Sequence, residues 1–86
     1  MTYYYPGLGA CGGTNSNSDA VVAMPPSQDG HCGKTINIHY NGKTATAKVV
    51  DKCPGCAGDS IDVSPSVFQE FVDLSKGRVQ VTWEYA

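Results

Sequence analysis

The sequence predicts a small, mainly β domain closed into a barrel, and three observations carry that reading. Short runs alternating apolar and polar residues recur along the chain, divided by Gly, Pro and Asn. One pair of runs is joined by Asn41-Gly42, a strong signal for a β-hairpin. Only one segment, after Ser64-Pro65, has helical spacing. In a chain of 86 residues there is room for one core, so a single domain over 1–86 is expected. A closed barrel removes the free strand edges that an open sheet of the same size would expose.

The elements follow in order. Thr2-Tyr3-Tyr4-Tyr5 is β-prone and closed by Pro6-Gly7. Gly7 to Ser18 reads as a loop whose glycines, flanking Cys11, suggest backbone held close to a ligand or another strand. Asp19 precedes Ala20-Val21-Val22-Ala23-Met24, a buried strand that stops at Pro25-Pro26. A second loop, Ser27 to Gly33, carries His31 and Cys32. Thr35 to Tyr40 places Ile36, Ile38 and Tyr40 on one face and Thr35, Asn37 and His39 on the other. Asn41-Gly42 calls for a type I′ turn, and Lys43 to Val50 returns with Ala45, Ala47 and Val49 inward. Ile61-Asp62-Val63 is a short strand. Ser64-Pro65 then looks like an N-cap with proline at the first helical position. Val67, Phe68, Phe71, Val72 and Leu74 fit one face of a helix of two to three turns, ended by Gly77. Val79, Val81, Trp83 and Tyr85 alternate in a last strand.

Composition narrows the function. The formal net charge is −2 and no Lys/Arg cluster exists, which argues against nucleic acid and anionic membranes as partners. Only 16% of residues are charged, while Asn, Ser, Thr, Gly and Tyr abound, a surface suited to neutral polar ligands such as carbohydrate. With 41% apolar residues, a chain this short struggles to offset its conformational entropy by burial alone, and the four cysteines are the natural supplement. They permit three pairings. Zinc ribbons pair two Cys-x-x-Cys knuckles and this chain has one, Cys53-x-x-Cys56, so no metal is expected. A redox-active pair would want a helix directly after it, where Gly58-Asp59 and a strand follow. Structural disulfides, no cofactor and an extracellular location are the expectation. The chain is read as a mature, monomeric form with an added Met1.

The stretch Val49-Val50-Asp51-Lys52-Cys53-Pro54-Gly55-Cys56 delivers a carboxylate at the tip of an apolar strand beside a Pro-Gly corner. Asp51 is therefore the first candidate for function, with Asp19 and Asp62, also near strand ends, beside it. Each could do general acid/base work on sugars or bond loop amides, and for any one alone the loop role is favoured. A glycosidase needs two carboxylates at a set separation, which a sequence does not display. His39 lies on the polar face of the hairpin and nothing marks His31 as catalytic, so nucleophilic Cys-His or Ser-His chemistry has no support. Aromatic residues at alternate strand positions are mostly core, yet Tyr3-Tyr4-Tyr5 must turn at least one ring away from its neighbours, as a surface for stacking sugars.

These residues together carry a resemblance. Thr2-Tyr3-Tyr4, Gly9-Ala10-Cys11-Gly12, Asn17-Ser18-Asp19, Val21-Val22-Ala23 and His31-Cys32-Gly33-Lys34 begin it. Val49-Val50-Asp51-Lys52-Cys53-x-x-Cys56, Ile61-Asp62-Val63-Ser64-Pro65-Ser66-Val67-Phe68 and Val81-Thr82-Trp83 continue it. In order and spacing they resemble the expansin-related double-psi β-barrel family, which takes in loosenins, barwin, kiwellin and a bacterial papain inhibitor. The resemblance implies a six-stranded double-psi β-barrel with one or two short helices and a shallow groove.

It also implies a secreted protein that binds and loosens cell-wall polysaccharide (chitin, cellulose or peptidoglycan) without hydrolysing it. Asp51 matches the aspartate of the groove, Asp19 and Asp62 match aspartates that line or brace it, and Tyr4 lies in the strand leading into it. The Gly-rich loop, Gly12 included, would lend backbone to the contact. The resemblance further implies disulfides Cys32–Cys53 and Cys11–Cys56. Two departures stand out. Val22-Ala23-Met24-Pro25-Pro26 runs straight to His31-Cys32, without the histidine and helical insertion of loosenins. That shortened loop opens one wall of the groove and removes the histidine on which the family's transglycosylases rely, so no enzymatic activity is expected. The alternative within the family is inhibition of a papain-like cysteine protease, or binding of another protein as a secreted effector.

Overall fold

A computed structural model describes residues 1–86 as six strands with short helical turns between them. The strands are β1 (Thr2–Tyr3), β2 (Val21–Met24), β3 (Thr35–Tyr40), β4 (Lys43–Lys52), β5 (Asp62–Val63) and β6 (Thr82–Tyr85). They lie in one sheet in the order β1-β5-β2-β4-β3-β6. β1 runs parallel to β5 and β2 parallel to β4, whereas β2–β5, β3–β4 and β3–β6 are antiparallel. The sheet closes on itself just outside its named strands. The Met1 amine donates to the Val79 carbonyl at 2.8 Å, and Val79 N–H donates back to Met1 O at 3.1 Å. Closure therefore satisfies backbone groups that an open edge would leave to solvent.

The hairpin forms as its alternation dictates. Asn41 (φ 49°) and Gly42 (φ 81°) both take the left-handed region that a type I′ turn requires. Ile36, Ile38, Ala45, Ala47 and Val49 are buried, and Thr44, Thr46 and Lys48 face solvent. These residues join Val22, Met24, Ile61, Val63, Val67, Phe68 and Phe71 in one core.

The strict alternation of β4 breaks once, at Val50. Val22 pairs with Val49, but the next residue, Ala23, pairs with Asp51. Val50 is thus one residue more than the partner strand supplies, a β-bulge. Without it Asp51 would share the inward parity of Ala45, Ala47 and Val49. With it the carboxylate reaches a half-exposed position at the barrel rim.

Two expectations for the C-terminal third are corrected. The helix α1 covers only Pro65–Gln69 (5 residues), not two to three turns. Beyond it the bonding is mixed: Glu70 N–H reaches Val67 O and Phe71 N–H reaches Phe68 O, three residues back, and Val72 N–H reaches the same Phe68 O, four back. Asp73 then caps a separate 3₁₀ turn, Leu74–Lys76, by accepting Ser75 N–H, and Gly77 (φ 69°) ends it. Phe71 is still buried, so the apolar spacing served packing without continuous helix. Ser64 occupies the N-cap position but its hydroxyl makes no cap bond. That hydroxyl donates to Asp19 O at 2.6 Å and accepts Val21 N–H at 3.3 Å, tying β2 to the start of α1.

The disulfides are Cys11–Cys32 (Cα–Cα 5.7 Å) and Cys53–Cys56 (Cα–Cα 5.4 Å), not the implied Cys11–Cys56 and Cys32–Cys53. The backbone explains the exchange. Cys11 N–H donates to Val50 O and Gly33 N–H to Val49 O, so both loops are laid on adjacent residues of β4 with Cys11 and Cys32 facing each other. Cys53 and Cys56 are brought together by a tight turn, with Cys56 N–H donating to Cys53 O.

Candidate functional site

The site is assembled around the bulge. Asp51 Oδ1 accepts its neighbour's amide, Lys52 N–H, at 2.8 Å and Ala10 N–H, also at 2.8 Å, from the Gly-rich loop. Its Oδ2 takes no protein hydrogen bond and is not among the buried unpaired atoms, so it is left to solvent. Gly9 makes the approach of that loop possible. A Cβ there would overlap the Val50 carbonyl oxygen, the same oxygen that accepts Cys11 N–H. Glycine at position 9 is therefore required by close approach, as the glycine-rich sequence suggests.

Tyr4 and Asp62 belong to the same neighbourhood. Tyr4 N–H continues the ladder beyond β1 to Val63 O at 2.9 Å, and the tyrosine hydroxyl is buried with no partner in the protein. Its pKa is pushed up to about 12, first by burial and then by the negative charges of Asp51 and Asp62. The hydroxyl is thus a proton donor held near two carboxylates. Asp62 Oδ1 accepts the Thr2 hydroxyl at 2.8 Å across the parallel β1–β5 pair.

Asp19 does not join this group through any hydrogen bond. Its Oδ2 accepts Ser16 N–H at 2.8 Å and Asn15 Nδ2 at 3.3 Å, closing its own loop. Those bonds, Ser16 first, hold the carboxyl below the usual carboxylate range. Gly12 (φ 98°) turns the Gly-rich loop and faces open space, so it serves the turn and not a close contact. The histidines are engaged elsewhere: His39 contacts Glu84 at 2.7 Å and Thr44 Oγ1 at 2.9 Å, and His31 stacks on Tyr85 at 4.8 Å. A cleft of about 200 Å³ lies next to the site, between Met24, Pro25 and Pro26 on one side and Lys52 and Pro54 on the other.

Two groups at the site were not foreseen from sequence, Thr2 and the Ala10 amide, and beyond it the exposed side chain of Leu8 (79%) was not foreseen. The ring that Tyr3-Tyr4-Tyr5 was expected to turn outward is that of Tyr5 (67%). The glycines around Ala10 were the available signal for the amide. Nothing in sequence marks Leu8 as exposed.

The chain is similar to known proteins in sequence and in fold. No protein-family profile matches the chain. The papain inhibitor of Streptomyces mobaraensis is 37% identical over 97 residues, covering 99% of this chain and 68% of that protein. The chain belongs to the expansin-related double-psi β-barrel family. The Streptomyces papain inhibitor structure superimposes with a TM-score of 0.89 at 36% identity, over 100% of this chain and 89% of that one. A second family member, the allergen Asp f 7 of Aspergillus fumigatus, is 44% identical over 94 residues. That match covers 99% of this chain but 35% of the allergen, so the chain spans about a third of that relative. An expansin of Clavibacter michiganensis in complex with cellohexaose shares the double-psi barrel fold, with a TM-score of 0.89 at 20% identity. It matches 99% of this chain and 47% of the expansin.

Proposed function

We propose that this protein is secreted and binds a cell-wall polysaccharide such as chitin, cellulose or peptidoglycan along the open face carrying Tyr4, Asp51 and Asp62, without cleaving it. One observation carries the reading. Asp51 Oδ2 is unspent and open to solvent, beside Tyr4 and Asp62. A polyol ligand offers the hydroxyl donors that such an acceptor takes. The position at an exposed strand end, not in an enclosed pocket, suits a long polymer passing across the barrel. No imidazole stands at the site to shuttle protons, which supports binding over cleavage. Two disulfides support an oxidising, extracellular setting. The test is a pull-down of wild type and Asp51→Ala on insoluble chitin, cellulose and peptidoglycan, with soluble sugars assayed in parallel. Retention without sugar release, weakened about tenfold by the substitution, is expected for loss of a charged hydrogen bond. Failure to bind any of the three polymers overturns the reading.

A second reading has its own support. The papain inhibitor matches nearly the whole chain in sequence and structure, so inhibition of a papain-like cysteine protease is proposed beside polysaccharide binding. Titration of papain with the protein decides it, and no inhibition at micromolar concentration removes it.

A further inference from the structure

Tyr5 and Leu8 are the exposed large hydrophobic residues of this chain, at 67% and 79%, and they sit three positions apart in one segment. The polysaccharide reading uses neither as a hydrogen-bonding group. Their own stretch of chain is also uncharged: no Asp, Glu, Lys or Arg occurs from Thr2 to Ser18, and the Asp51 carboxylate stands at its Ala10 end. A surface that will be dehydrated by a protein partner is depleted of charge at its centre and carries apolar anchors there.

The backbone beneath these side chains is fixed. Leu8 bridges to Thr14, Gly9 N–H donates to Gly13 O at 2.8 Å, and Asn15 N–H donates to Gly7 O at 3.0 Å. The loop so formed is fastened to β4 by Cys11 N–H on Val50 O, by Ala10 N–H on Asp51, and by the Cys11–Cys32 disulfide. Tyr5 packs edge-on against Tyr3 (6.1 Å), which in turn packs on the core residue Phe68 (4.9 Å). Exposed apolar side chains on a mobile loop would lose much of their binding energy to ordering. On a pre-ordered loop that cost has already been met in folding.

We infer that the segment from Tyr5 to Ala10, with Leu8 as its principal anchor, is the surface that occludes the substrate cleft of a papain-like cysteine protease. The inference rests on the inhibitor reading above and goes further by naming the segment. Leu8 enters an apolar subsite of the cleft, and Tyr5 covers its rim. The short loop, cross-bonded at Gly7–Asn15 and at Leu8–Thr14, resists being drawn out into the extended form in which a peptide is cut.

The experiment measures inhibition of papain by wild type, Leu8→Asp, Tyr5→Ala and, as a surface control, Lys76→Ala. Each protein's melting temperature is recorded alongside. Both target side chains are largely in solvent, so the variants should melt with the wild type. Loss of a buried anchor should raise the inhibition constant about tenfold or more for Leu8→Asp and several-fold for Tyr5→Ala. A second readout locates the contact: bound wild type should slow alkylation of the protease's active-site thiol, and Leu8→Asp should restore its rate. Wild-type inhibition that Leu8→Asp leaves intact overturns the assignment of the segment while keeping the inhibitor reading. Inhibition with an unprotected thiol overturns occlusion of the cleft. Absence of wild-type inhibition overturns the inhibitor reading itself, and the segment's role with it.

Discussion

Replacing each disulfide by a pair of serines should destabilise the protein unequally, by an amount fixed by where the bridges fall. In the chain-entropy description a cross-link acts by restricting the unfolded chain, and its effect grows with the logarithm of the loop it closes. Cys11–Cys32 spans a sequence separation of 21 and Cys53–Cys56 one of 3. The corresponding contributions are about 3.3 and about 1.6 kcal/mol. Cys32 is exposed and the other three are only half-buried, so serine adds little further loss from burial. A domain of this length has roughly 4–13 kcal/mol of net stability, which makes the first bridge a substantial share and the second a modest one. Urea unfolding of Cys11→Ser/Cys32→Ser and of Cys53→Ser/Cys56→Ser should therefore give free energies about 1.7 kcal/mol apart. At about 4–8 °C per kcal/mol the first variant should also melt roughly 7–14 °C below the second. Thiol titration supplies an independent check. With these pairings neither variant has a free thiol, whereas Cys11–Cys56 with Cys32–Cys53 would leave two in each. Equal losses, a reversed order, or titratable thiols in either variant would refute the reasoning.

Other outcomes are expected from single groups. Gly9→Ala forces the loop off the Val50 carbonyl. Losing the Cys11 and Ala10 hydrogen bonds should then cost on the order of 2–4 kcal/mol, and an unchanged melting temperature would show that the loop yields freely. Ser64→Ala removes the buried hydroxyl shared by Asp19 O and Val21 N–H, with an expected loss of about 1–3 kcal/mol in urea unfolding. Tyr4 keeps its proton to about 12 in the folded state, against 10.0 ordinarily. The unfolded chain therefore releases that proton first, and stability should fall as pH rises from about 10 towards about 12. Tyr4→Phe should flatten that slope without lowering stability at neutral pH, because the deleted hydroxyl has no partner. A drop at neutral pH would mean the hydroxyl is bonded within the protein.

The contrast between what was and was not legible follows from the range of each signal. The Thr35–Tyr40 and Lys43–Lys52 hairpin could be read residue by residue, since alternation and an Asn-Gly turn are local properties. The extent of α1 could not. Phe71, Val72 and Leu74 carry the same spacing whether the chain continues as helix or breaks at Asp73 into a 3₁₀ turn. Asp51 was recognisable as a strand-end carboxylate, but its exposure depends on pairing with β2, distant in sequence. Asp19 was grouped with it although Asn15 and Ser16, close neighbours, supply all its carboxylate bonds. The pattern Asn15-Ser16-Asn17-Ser18-Asp19 is itself that of a self-bonded turn. The disulfide partners were beyond local rules, because they are set by which carbonyls of β4 the two loops reach. Leu8 escaped notice for the opposite reason: apolar residues are assigned to a core by default.

The extra residue in β4 gives this protein an uncommon kind of mutational sensitivity. Point substitutions at Val50 alter a side chain, whereas its deletion would remove the bulge: Val49 and Asp51 would pair with Val22 and Ala23 in uninterrupted alternation, and the carboxylate would keep its outward face. What the deletion takes away is the Val50 carbonyl, which accepts Cys11 N–H. A residue inserted opposite Val50 in β2 would instead draw Val50 into the ladder, turn the carboxylate towards the core and take the acceptor from the Ala10 amide. The facing of the barrel rim is thus set by the difference in length between β2 and β4, and not by the length of either.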